Sequence, residues 1–416
     1  MKDLDLFKMA LELDEEWFVV KSEFIPKDIK LDISLDFRLG EVLPCPECSL
    51  KSMVHDTEGK TWRHLNFFQH EASLHARVPR IRCQEQGIKM IEIPRALEQS
   101  GFTLLFKDLI LSMADIMPVN AIAKLIGKTD KRLWRIIIHY VNRDLEQQDL
   151  SKVRRIGVDK TSTKPSHNYV SFFVEMDTKK VVFVTEGKKS SLVQAFKDHL
   201  LKHRGDQELI WVFSCDMSPA FIAGIKTQLR TGNIAFDHLP VMKLLNKSLE
   251  EVHRQEQAME SMLKATRYVW LKNRSNLIAK QRMKLDSLSN LKLKTARAYG
   301  LKLVFQKAFP YDGRLGVYAL KKWYFGAIRL QLEPIKHFAR ILKEHWDGVA
   351  RWFECKLNNV LLDSLNSLVQ AAKARASGYH STTNFKTMIY MIAGKVWGGY
   401  PYETSKSLIF SSLMHK

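Results

Sequence analysis

The sequence has 416 residues, with 65 Lys and Arg against 45 Asp and Glu, and 45% of its residues are hydrophobic. This composition excludes intrinsic disorder, collagen and coiled-coil fibres, and the length predicts several domains. No apolar run approaches the ~20 residues that cross a bilayer, and the N-terminal residues are acidic where a signal peptide is basic. We therefore expect a cytoplasmic protein.

The net charge of +20 predicts a polyanionic partner, with nucleic acid favoured over an acidic membrane surface. Residues 1–40 carry a net charge of −4, whereas residues 241–310 hold 15 Lys and Arg against 5 Asp and Glu. Half of the excess therefore lies in one segment, which indicates a dedicated basic surface, although such charge runs are also typical of solvated helix faces. A membrane role would need an amphipathic basic helix, and nothing else in the sequence favours it.

Residues 1–40 predict a β-hairpin. Apolar and polar side chains alternate over 17–24 and 31–37, and Pro26 lies in the turn between the two strands. The hairpin leads directly into a pair of cysteines, so we interpret it as an N-terminal lead-in to the next module.

A cysteine module is predicted over residues 41–95. Cys45 and Cys48 are spaced as Cys-x-x-Cys, and in a chain with five cysteines this indicates half of a metal site in a reducing compartment. The residues that follow, up to Cys83, mix histidine, arginine and aromatic side chains without a helical period. Such a sequence is typical of a small, metal-stapled fold.

Residues 96–150 predict a helix-turn-helix. A first helix begins near Phe102, a second follows Pro118, and a third spans 131–140 after a glycine-containing turn. The first helix has an apparent apolar stripe of Leu104, Leu105, Leu109 and Met113. In the third helix the predicted core-facing residues are Leu133, Ile136 and Ile137. We predict that the basic residues at the start and on one face of the third helix bind DNA: Lys128, Lys131, Arg132 and Arg135.

Residues 151–240 predict an α/β sheet with a characteristic order of elements. Three antiparallel strands are followed by a helix, a parallel strand, a second helix and a final parallel strand; the strands are 153–159, 169–176, 180–185, 209–215 and 234–236. This is the order of an RNase H-like fold. Residues 241–393 then read as almost wholly helical.

Carboxylates at strand ends are the most informative chemical feature. Asp159 and Asp216 each follow a strand of core character, and the carboxyl ends of strands are where ligands bind in α/β sheets. If the two strands are neighbours, the acids converge, and hard oxygen ligands suit Mg²⁺ or Mn²⁺ in phosphodiester transfer. The alternative is that each Asp only favours a turn.

Ordered motifs along the chain resemble the DDE transposases of bacterial insertion sequences, specifically the ISL-three family. The matching stretches are Ile156-Gly-Val-Asp159 with His167-Asn-Tyr-Val170, Asp216-Met-Ser-Pro-Ala-Phe221, Phe236-Asp-His238 with Val241-Met-Lys-Leu244, Lys321-Lys-Trp-Tyr324, Leu332-Glu-Pro-Ile335, His345-Trp-Asp-Gly348, and Leu365 to Lys373 followed by Ala376-Ser-Gly-Tyr379. The resemblance runs from about Trp17 to Lys395.

The resemblance implies a three-acid catalytic site made by Asp159, Asp216 and Asp363. Asp363 lies where the family has Glu in a Leu-Glu-Gly-x-Asn motif, so its carboxylate is one methylene nearer the backbone. Lys160 stands where the family usually has Glu, and Pro240 replaces a His. Displacements of order 1 Å at an active site can cost ~10²-fold in rate. A catalytically decayed copy that only binds DNA is therefore the alternative to an active enzyme.

The cysteine module resembles the family's zinc finger, which implies zinc on Cys45, Cys48 and Cys83. Gln86 lies at the fourth ligand position, and Gln is a poor zinc ligand. Either a histidine (His64, His70 or His75) or water completes the site, or the module is a metal-free, hydrophobically packed remnant.

The helical residues between Asp216 and Asp363 exceed what an RNase H-like core needs, so we predict a basic helical insertion over 241–350. The core then resumes at 351–400, and 401–416 form a tail. Cations alternate with aromatics in one part of the insertion, which suits phosphate contact and base stacking near a cleaved end. We predict that four of its residues bind DNA: Arg267, Trp270, Lys272 and Arg274.

The sequence therefore predicts an α+β multidomain protein with a zinc-finger-like module, a helix-turn-helix and an RNase H-like α/β core interrupted by an all-helical insertion. The implied function is an insertion-sequence transposase that binds terminal inverted repeats and catalyses metal-dependent cleavage and strand transfer. Its expected cofactors are Mg²⁺ or Mn²⁺ and zinc. Its expected partner is double-stranded DNA, bound by a homo-oligomer at the bacterial nucleoid, with no membrane contact.

Overall fold

The computed structural model describes residues 3–38, 40, 42–91, 101–163, 168–187, 190–229, 233–357 and 359–394. The predicted tail, 401–416, and His167 of the motif above lie outside these residues. The chain divides into two compact units, one that runs to Asp144 and one that begins at Leu145. No helix in the described ranges is long and apolar enough to cross a membrane.

The first unit begins with one helix and a six-stranded sheet. These elements are α1 (Asp3–Ala10), β1 (Trp17–Ile25), β2 (Lys30–Phe37), β3 (Val42–Pro44), β4 (Lys51–Arg63), β5 (Glu71–Cys83) and β6 (Gly87–Met90). The sheet order is β1-β2-β5-β4-β3, with β6 paired to β5. The predicted hairpin is confirmed. It is not a separate lead-in, however, because β2 pairs in parallel with β5 of the cysteine module.

The alternation of buried apolar and half-buried polar residues along β2 explains why the hairpin joins this sheet. Leu31, Ile33, Leu35 and Phe37 are at most 4% exposed, while the residues between them are half-buried. They share a core with Leu74 and neighbouring residues of β5. One apolar face therefore stabilises both the hairpin and the long strands that end at the cysteines.

Three helices follow in the described part of the first unit: α2 (Leu104–Ile116), α3 (Val119–Leu125) and α4 (Asp130–Glu146). The Thr103 hydroxyl accepts a hydrogen bond from the Phe106 amide at 3.4 Å and caps α2. The predicted core face of the third helix is confirmed for Leu133, Ile136 and Ile137. The stripe predicted for the first helix is wrong, because the buried apolar residues of α2 are Phe106, Ile110, Leu111 and Ala114.

The second unit contains a five-stranded mixed sheet and two helices early in its sequence. Their bounds are β7 (Arg155–Ser162), β8 (Tyr169–Glu175), β9 (Lys180–Glu186), α5 (Ser191–Lys202), β10 (Val212–Cys215), α6 (Pro219–Gln228) and β11 (Ile234–Phe236). The sheet order is β11-β10-β7-β8-β9, with β7, β8 and β9 antiparallel and β10 parallel to both β7 and β11. The predicted order of strands and helices is confirmed.

The remaining elements in the described part of the second unit are helical, as the sequence predicts. They are α7 (His238–Gln257), α8 (Arg267–Leu271), α9 (Ala279–Ser289), α10 (Lys294–Gln306), α11 (Gly313–Arg329), α12 (Glu333–Glu344), α13 (Trp346–Cys355), α14 (Val360–Arg375) and α15 (Thr382–Gly394).

Helices α14 and α15 pack on the sheet and fix the region of the predicted catalytic acids. Leu362 of α14 lies against Gly157 of β7 so closely that a Cβ at position 157 would be 2.8 Å from the Leu362 Cδ2. On α15, the Tyr390 hydroxyl accepts a hydrogen bond from the Val184 amide of β9 at 2.8 Å. The glycine in the middle of a central strand therefore permits the close approach of α14.

Candidate active site and metal-binding residues

Parallel pairing brings the first two predicted acids side by side. Val158 of β7 is paired with Cys215 of β10, so the residues that follow them, Asp159 and Asp216, are neighbours. Asp159 does not end its strand as predicted, because β7 continues for three residues paired with β8 up to Ser162. The adjacency follows from strand register rather than from two strand ends.

The third predicted acid, Asp363, lies on α14, the helix that packs on β7. Asn359 precedes α14, and its side chain accepts a hydrogen bond from the Ser214 hydroxyl of β10 at 2.8 Å. Asn366 donates to Asp159 Oδ2 at 3.3 Å. Asp363 lies between these two residues at helical spacing, in the first turn of α14, and it is exposed.

The Asp159 carboxyl has a raised pKa. Burial raises its pKa to about 6, and the negative charges of Asp216 and Asp363 act in the same direction. Hydrogen bonding from the Lys160 amide, at 2.7 Å, opposes this rise. A bound cation would remove the repulsion between these carboxylates.

Lys160 supplies a cation of the chain's own at this place. Its ammonium lies 3.3 Å from Asp216 Oδ2 and 5.7 Å from the centroid of the Phe221 ring. The second oxygen of Asp216 accepts the Ser218 amide at 3.1 Å. The departure from the family pattern at position 160 therefore places a Lys in contact with a predicted metal ligand.

The three acids fit a divalent metal in donor type and in charge, although they do not form one tight trio. Among the described residues, only the cysteine cluster has three potential ligand atoms that all lie within 4.8 Å of one another. In addition, the buried Oδ1 of Asn366, which lies beside Asp159, has no hydrogen-bond partner among the described residues. An open arrangement of hard oxygen ligands near Asp159 suits a two-ion site, where the ions are themselves ~3.5–4 Å apart.

Asp237 is a supporting residue that the sequence analysis left out of the site. It follows β11, is fully buried, and accepts the Asn359 amide at 2.8 Å and the Leu239 amide at 3.3 Å. Burial would raise its pKa, but hydrogen bonds from His238 and Asn359 hold that pKa below its ordinary value. The sequence feature that could have identified Asp237 is its position, because it is a third Asp that directly follows a strand of core residues. Asp237 ties the start of α14 to the sheet edge.

Cys45, Cys48 and Cys83 form the predicted sulfur cluster. Their Sγ atoms lie within 4.8 Å of one another, and the Cys48 and Cys83 sulfurs are 3.3 Å apart. Thiolates on one tetrahedral zinc are about 3.8 Å apart, so the three fit zinc. The backbone amides of Cys48 and Glu47 hold the pKa of the Cys45 thiol below its ordinary value, which favours the thiolate.

Among the described residues, none is a strong ligand for the fourth zinc position. Gln86 is exposed, in the turn that follows Cys83. The candidate histidines have other contacts: His64 bonds the Thr103 hydroxyl at 2.9 Å, His70 packs edge-on against Phe24, and His75 lies 3.2 Å from Asp32. Within the described ranges, no histidine joins the three sulfurs.

The basic residues predicted to read DNA lie at the start of α4. Lys131 and Arg135 are exposed, and Lys128 is half-buried just before the helix. Arg132 is also half-buried, with its guanidinium 4.7 Å from the centroid of the Phe102 ring. Lys131 and Arg135 are therefore the pair best placed to meet a groove.

The four residues predicted to bind DNA around α8 differ in burial and in their contacts. Trp270 is fully buried and donates to the Thr266 hydroxyl at 3.2 Å, so the stacking role predicted for it is corrected to a core role. Arg267 pairs with Glu250 at 2.6 Å, and Arg274 makes a two-pronged pair with Asp286. Lys272 is exposed and lines a cavity.

Three family models match the chain. The model described as a transposase covers residues 156–389, the zinc-finger of transposase IS204/IS1001/IS1096/IS1165 covers 41–85, and the helix-turn-helix domain of transposase family ISL3 covers 96–141. The first spans more than half of the sequence. The chain belongs to the ISL3 (ISL-three) family of insertion-sequence transposases.

Curated relatives are similar over most of their length. The transposase for insertion sequence element IS1557 of Mycobacterium tuberculosis is 24% identical over 421 residues, which cover 92% of this chain and 93% of the relative. The transposase for insertion sequence element IS1001 of Bordetella parapertussis is 22% identical over 360 residues, which cover 83% of this chain and 87% of the relative. The resemblance predicted from the motifs is confirmed, with zinc-finger, DNA-binding and transposase domains in one chain.

Proposed function

We propose that the chain catalyses metal-dependent DNA cleavage and strand transfer at the ends of an insertion sequence. The catalytic core would be RNase H-like, formed by residues 151–240 and 351–400, with residues 241–350 as a basic helical insertion. The order β9-β8-β7-β10-β11, three antiparallel strands followed by two parallel ones, supports this assignment.

One observation carries the proposal: the pairing of Val158 with Cys215 sets Asp159 beside Asp216. The helix that carries Asp363 is held over the same strand by the bond from Asn366 to Asp159. Three acids from two strands and one helix therefore face one region, and Asp159 senses the charge of both others. This is the arrangement expected for residues that share divalent ions.

In this proposal, Asp159, Asp216 and Asp363 hold Mg²⁺ or Mn²⁺. A divalent cation there supplies Lewis-acid activation of the attacking oxygen and neutralises charge on the leaving oxygen. Asn366 and the Lys160 amide orient Asp159 through hydrogen bonds to its two oxygens. Asp237 fixes the start of α14 through the Asn359 amide, so it positions Asp363 without contacting DNA.

The first unit would hold the DNA. Lys131 and Arg135 would contact backbone phosphates beside the major groove at the terminal repeat, and zinc on the three cysteines would stabilise the end of the sheet that carries them. Two copies, each bound to one end of the element at the bacterial nucleoid, would bring the ends together for strand transfer.

The test is cleavage of a DNA fragment that carries the element's own end, with Mg²⁺ and full-length protein. We expect strand cleavage by the wild type and a loss of at least ~10²-fold in rate for Asp159→Asn and Asp216→Asn, because each removes a ligand that the reaction needs. Asp198→Asn, an exposed acid on α5, is the matched control and should cleave normally. DNA binding without cleavage by the wild type would favour the decayed copy and overturn the proposal.

A further inference from the structure

Lys160 brings a positive charge of the chain's own to the three predicted metal-binding acids. Its backbone lies in β7 and is paired with Ser171 of β8, so the side chain extends from a strand inside the sheet rather than from a loop. The side chain is half-buried. The ammonium is therefore a built-in part of the charge of this site.

The alternation of side chains along β7 directs Asp159 and Lys160 to opposite faces of the sheet. On the face covered by α14, Asp159 accepts a hydrogen bond from the Asn366 side chain at 3.3 Å. On the face covered by α6, the Lys160 ammonium lies 5.7 Å from the centroid of the buried Phe221 ring, within the range of a cation–π contact. The ammonium therefore approaches the acids from the face opposite to α14.

Asp216 is the acid that the ammonium meets, because it lies just beyond the end of β10. Its Oδ1 accepts the Ser218 amide at 3.1 Å, whereas its Oδ2 lies 3.3 Å from the Lys160 Nζ. A contact of this kind is a charge-assisted hydrogen bond. One oxygen of a predicted metal ligand is therefore already bonded to a cation.

The charge balance of the site differs with and without this lysine. Three ionised carboxylates and one ammonium give a formal charge of −2, which one divalent cation neutralises. A second divalent cation would leave an excess of +2 in the DNA-free protein. Because like charges repel, Lys160 disfavours that second cation.

We propose that the Lys160 ammonium takes the place of one divalent cation at Asp216, so that the DNA-free protein holds one divalent cation instead of two. The remaining cation would lie with Asp159 and Asp363, on the face of α14. The inference rests on the proposed function, since it takes the three acids to be a divalent-metal site. A phosphate of bound DNA competes with Asp216 for the ammonium, so the substrate itself would open the second cation position.

The experiment counts the Mn²⁺ ions bound per chain by electron paramagnetic resonance, with full-length, zinc-loaded protein and no DNA. We expect about one Mn²⁺ for the wild type and about two for Lys160→Gln, because the variant frees Asp216. Two Mn²⁺ ions ~3.5–4 Å apart are magnetically coupled, so the variant should also give the multiline spectrum of a pair.

Two further variants separate the position of the charge from its presence. Lys160→Arg keeps a cation beside Asp216 and should bind about one Mn²⁺, as the wild type does. Lys226→Gln removes the same charge from an exposed position on α6 and should also match the wild type.

Thermal unfolding distinguishes this role from a purely structural ion pair. Saturating Mn²⁺ should raise the unfolding temperature of Lys160→Gln more than that of the wild type, because the folded variant binds an additional ion. An ion pair that only stabilises the fold would lower the unfolding temperature of the metal-free variant and leave the two Mn²⁺-dependent rises equal.

The outcomes separate this inference from the proposed function. Equal Mn²⁺ counts in the wild type and Lys160→Gln would overturn the inference and leave the three acids as a metal site. A second ion bound by Lys160→Arg or by Lys226→Gln would also overturn it. The expected counts in a protein that never cleaves DNA would support the inference and contradict catalysis, whereas no Mn²⁺ bound by any variant would contradict both.

Discussion

We expect Gln86 to limit how tightly the cysteine module can hold zinc. It follows Cys83 at the spacing that separates Cys45 from Cys48, and both pairs of positions bracket a turn. We expect Gln86→Cys to raise zinc affinity by on the order of tenfold or more, because a fourth thiolate completes the tetrahedral set. Competition with a chromogenic chelator measures the change.

Gln84→Cys is the matched control for this prediction. It adds a thiol in the same turn without the Cys-x-x-Cys spacing, so its zinc affinity should equal that of the wild type. Equal gains from both substitutions would show that position 86 is not the fourth ligand position.

Single residues show where the sequence was sufficient and where it was not. Asp159 and Asp216 could be predicted because each follows a run of core residues. The role of Trp270 could not be predicted, because an aromatic residue between cations suits both a stacking surface and a core. Its hydrogen bond to Thr266 and its full burial show that it is a core residue. Asp237 carried the same signal as the other two acids but is a buried anchor.

Contact between α14 and β7 is the element-level feature on which the site depends. A Cβ at Gly157 would lie 2.5 Å from the Met176 Sδ and 2.8 Å from the Leu362 Cδ2. We expect Gly157→Ala to destabilise the protein by about 1–3 kcal/mol, because overpacking forces the helix and strand apart. Thermal unfolding measures the loss, and DNA cleavage should fall as Asp363 moves.

Gly326→Ala provides the comparison on another helix. A Cβ there would meet nothing within 4 Å, and α11 should gain up to ~1 kcal/mol from the better helix former. If Gly157→Ala were as stable as Gly326→Ala, the close packing of α14 on β7 would not set the position of the third acid.

Element order could be predicted well, whereas pairing between the hairpin and the cysteine module could not. The strands and helices of residues 151–240 occur in the predicted order, because alternation and turn residues are local signals. The pairing of β2 with β5 joins distant segments, so the hairpin was wrongly separated from the cysteine module. The stripe on α2 was misjudged because apolar residues surround that helix on several sides.

At the scale of the whole molecule, DNA binding should depend on the first unit. Lys131 and Arg135 are exposed on α4, so Lys131→Gln with Arg135→Gln should weaken binding to the element's end by on the order of tenfold. The slope of log affinity against log salt should decrease by about 2, because two phosphate contacts are lost. Fluorescence anisotropy at several salt concentrations provides both values.

Lys21→Gln with Lys27→Gln, two exposed changes on the N-terminal hairpin, keeps the same net charge as that variant. Its salt slope should match the wild type. Equal effects of the two double variants would indicate that overall charge, and not the helix-turn-helix, determines binding.

Net charge predicted the class of partner but not the surface that meets it. The segment 241–310 carries a net charge of +10, yet two of its predicted DNA contacts, Arg267 and Arg274, are paired with acids of the same segment. Two cations of this segment without an ion-pair partner in the described residues, Lys243 and Lys272, line a cavity that no sequence pattern indicated. Such a cavity depends on the packing of four separate segments.

Mn²⁺ binding to the full-length, zinc-loaded protein tests whether the three acids hold a divalent metal. Electron paramagnetic resonance titration should show Mn²⁺ bound by the wild type, with affinity at least ~10-fold lower in Asp159→Asn, because Asp159 is the acid on which the charges of both others act. Unchanged Mn²⁺ affinity in Asp159→Asn would contradict the account.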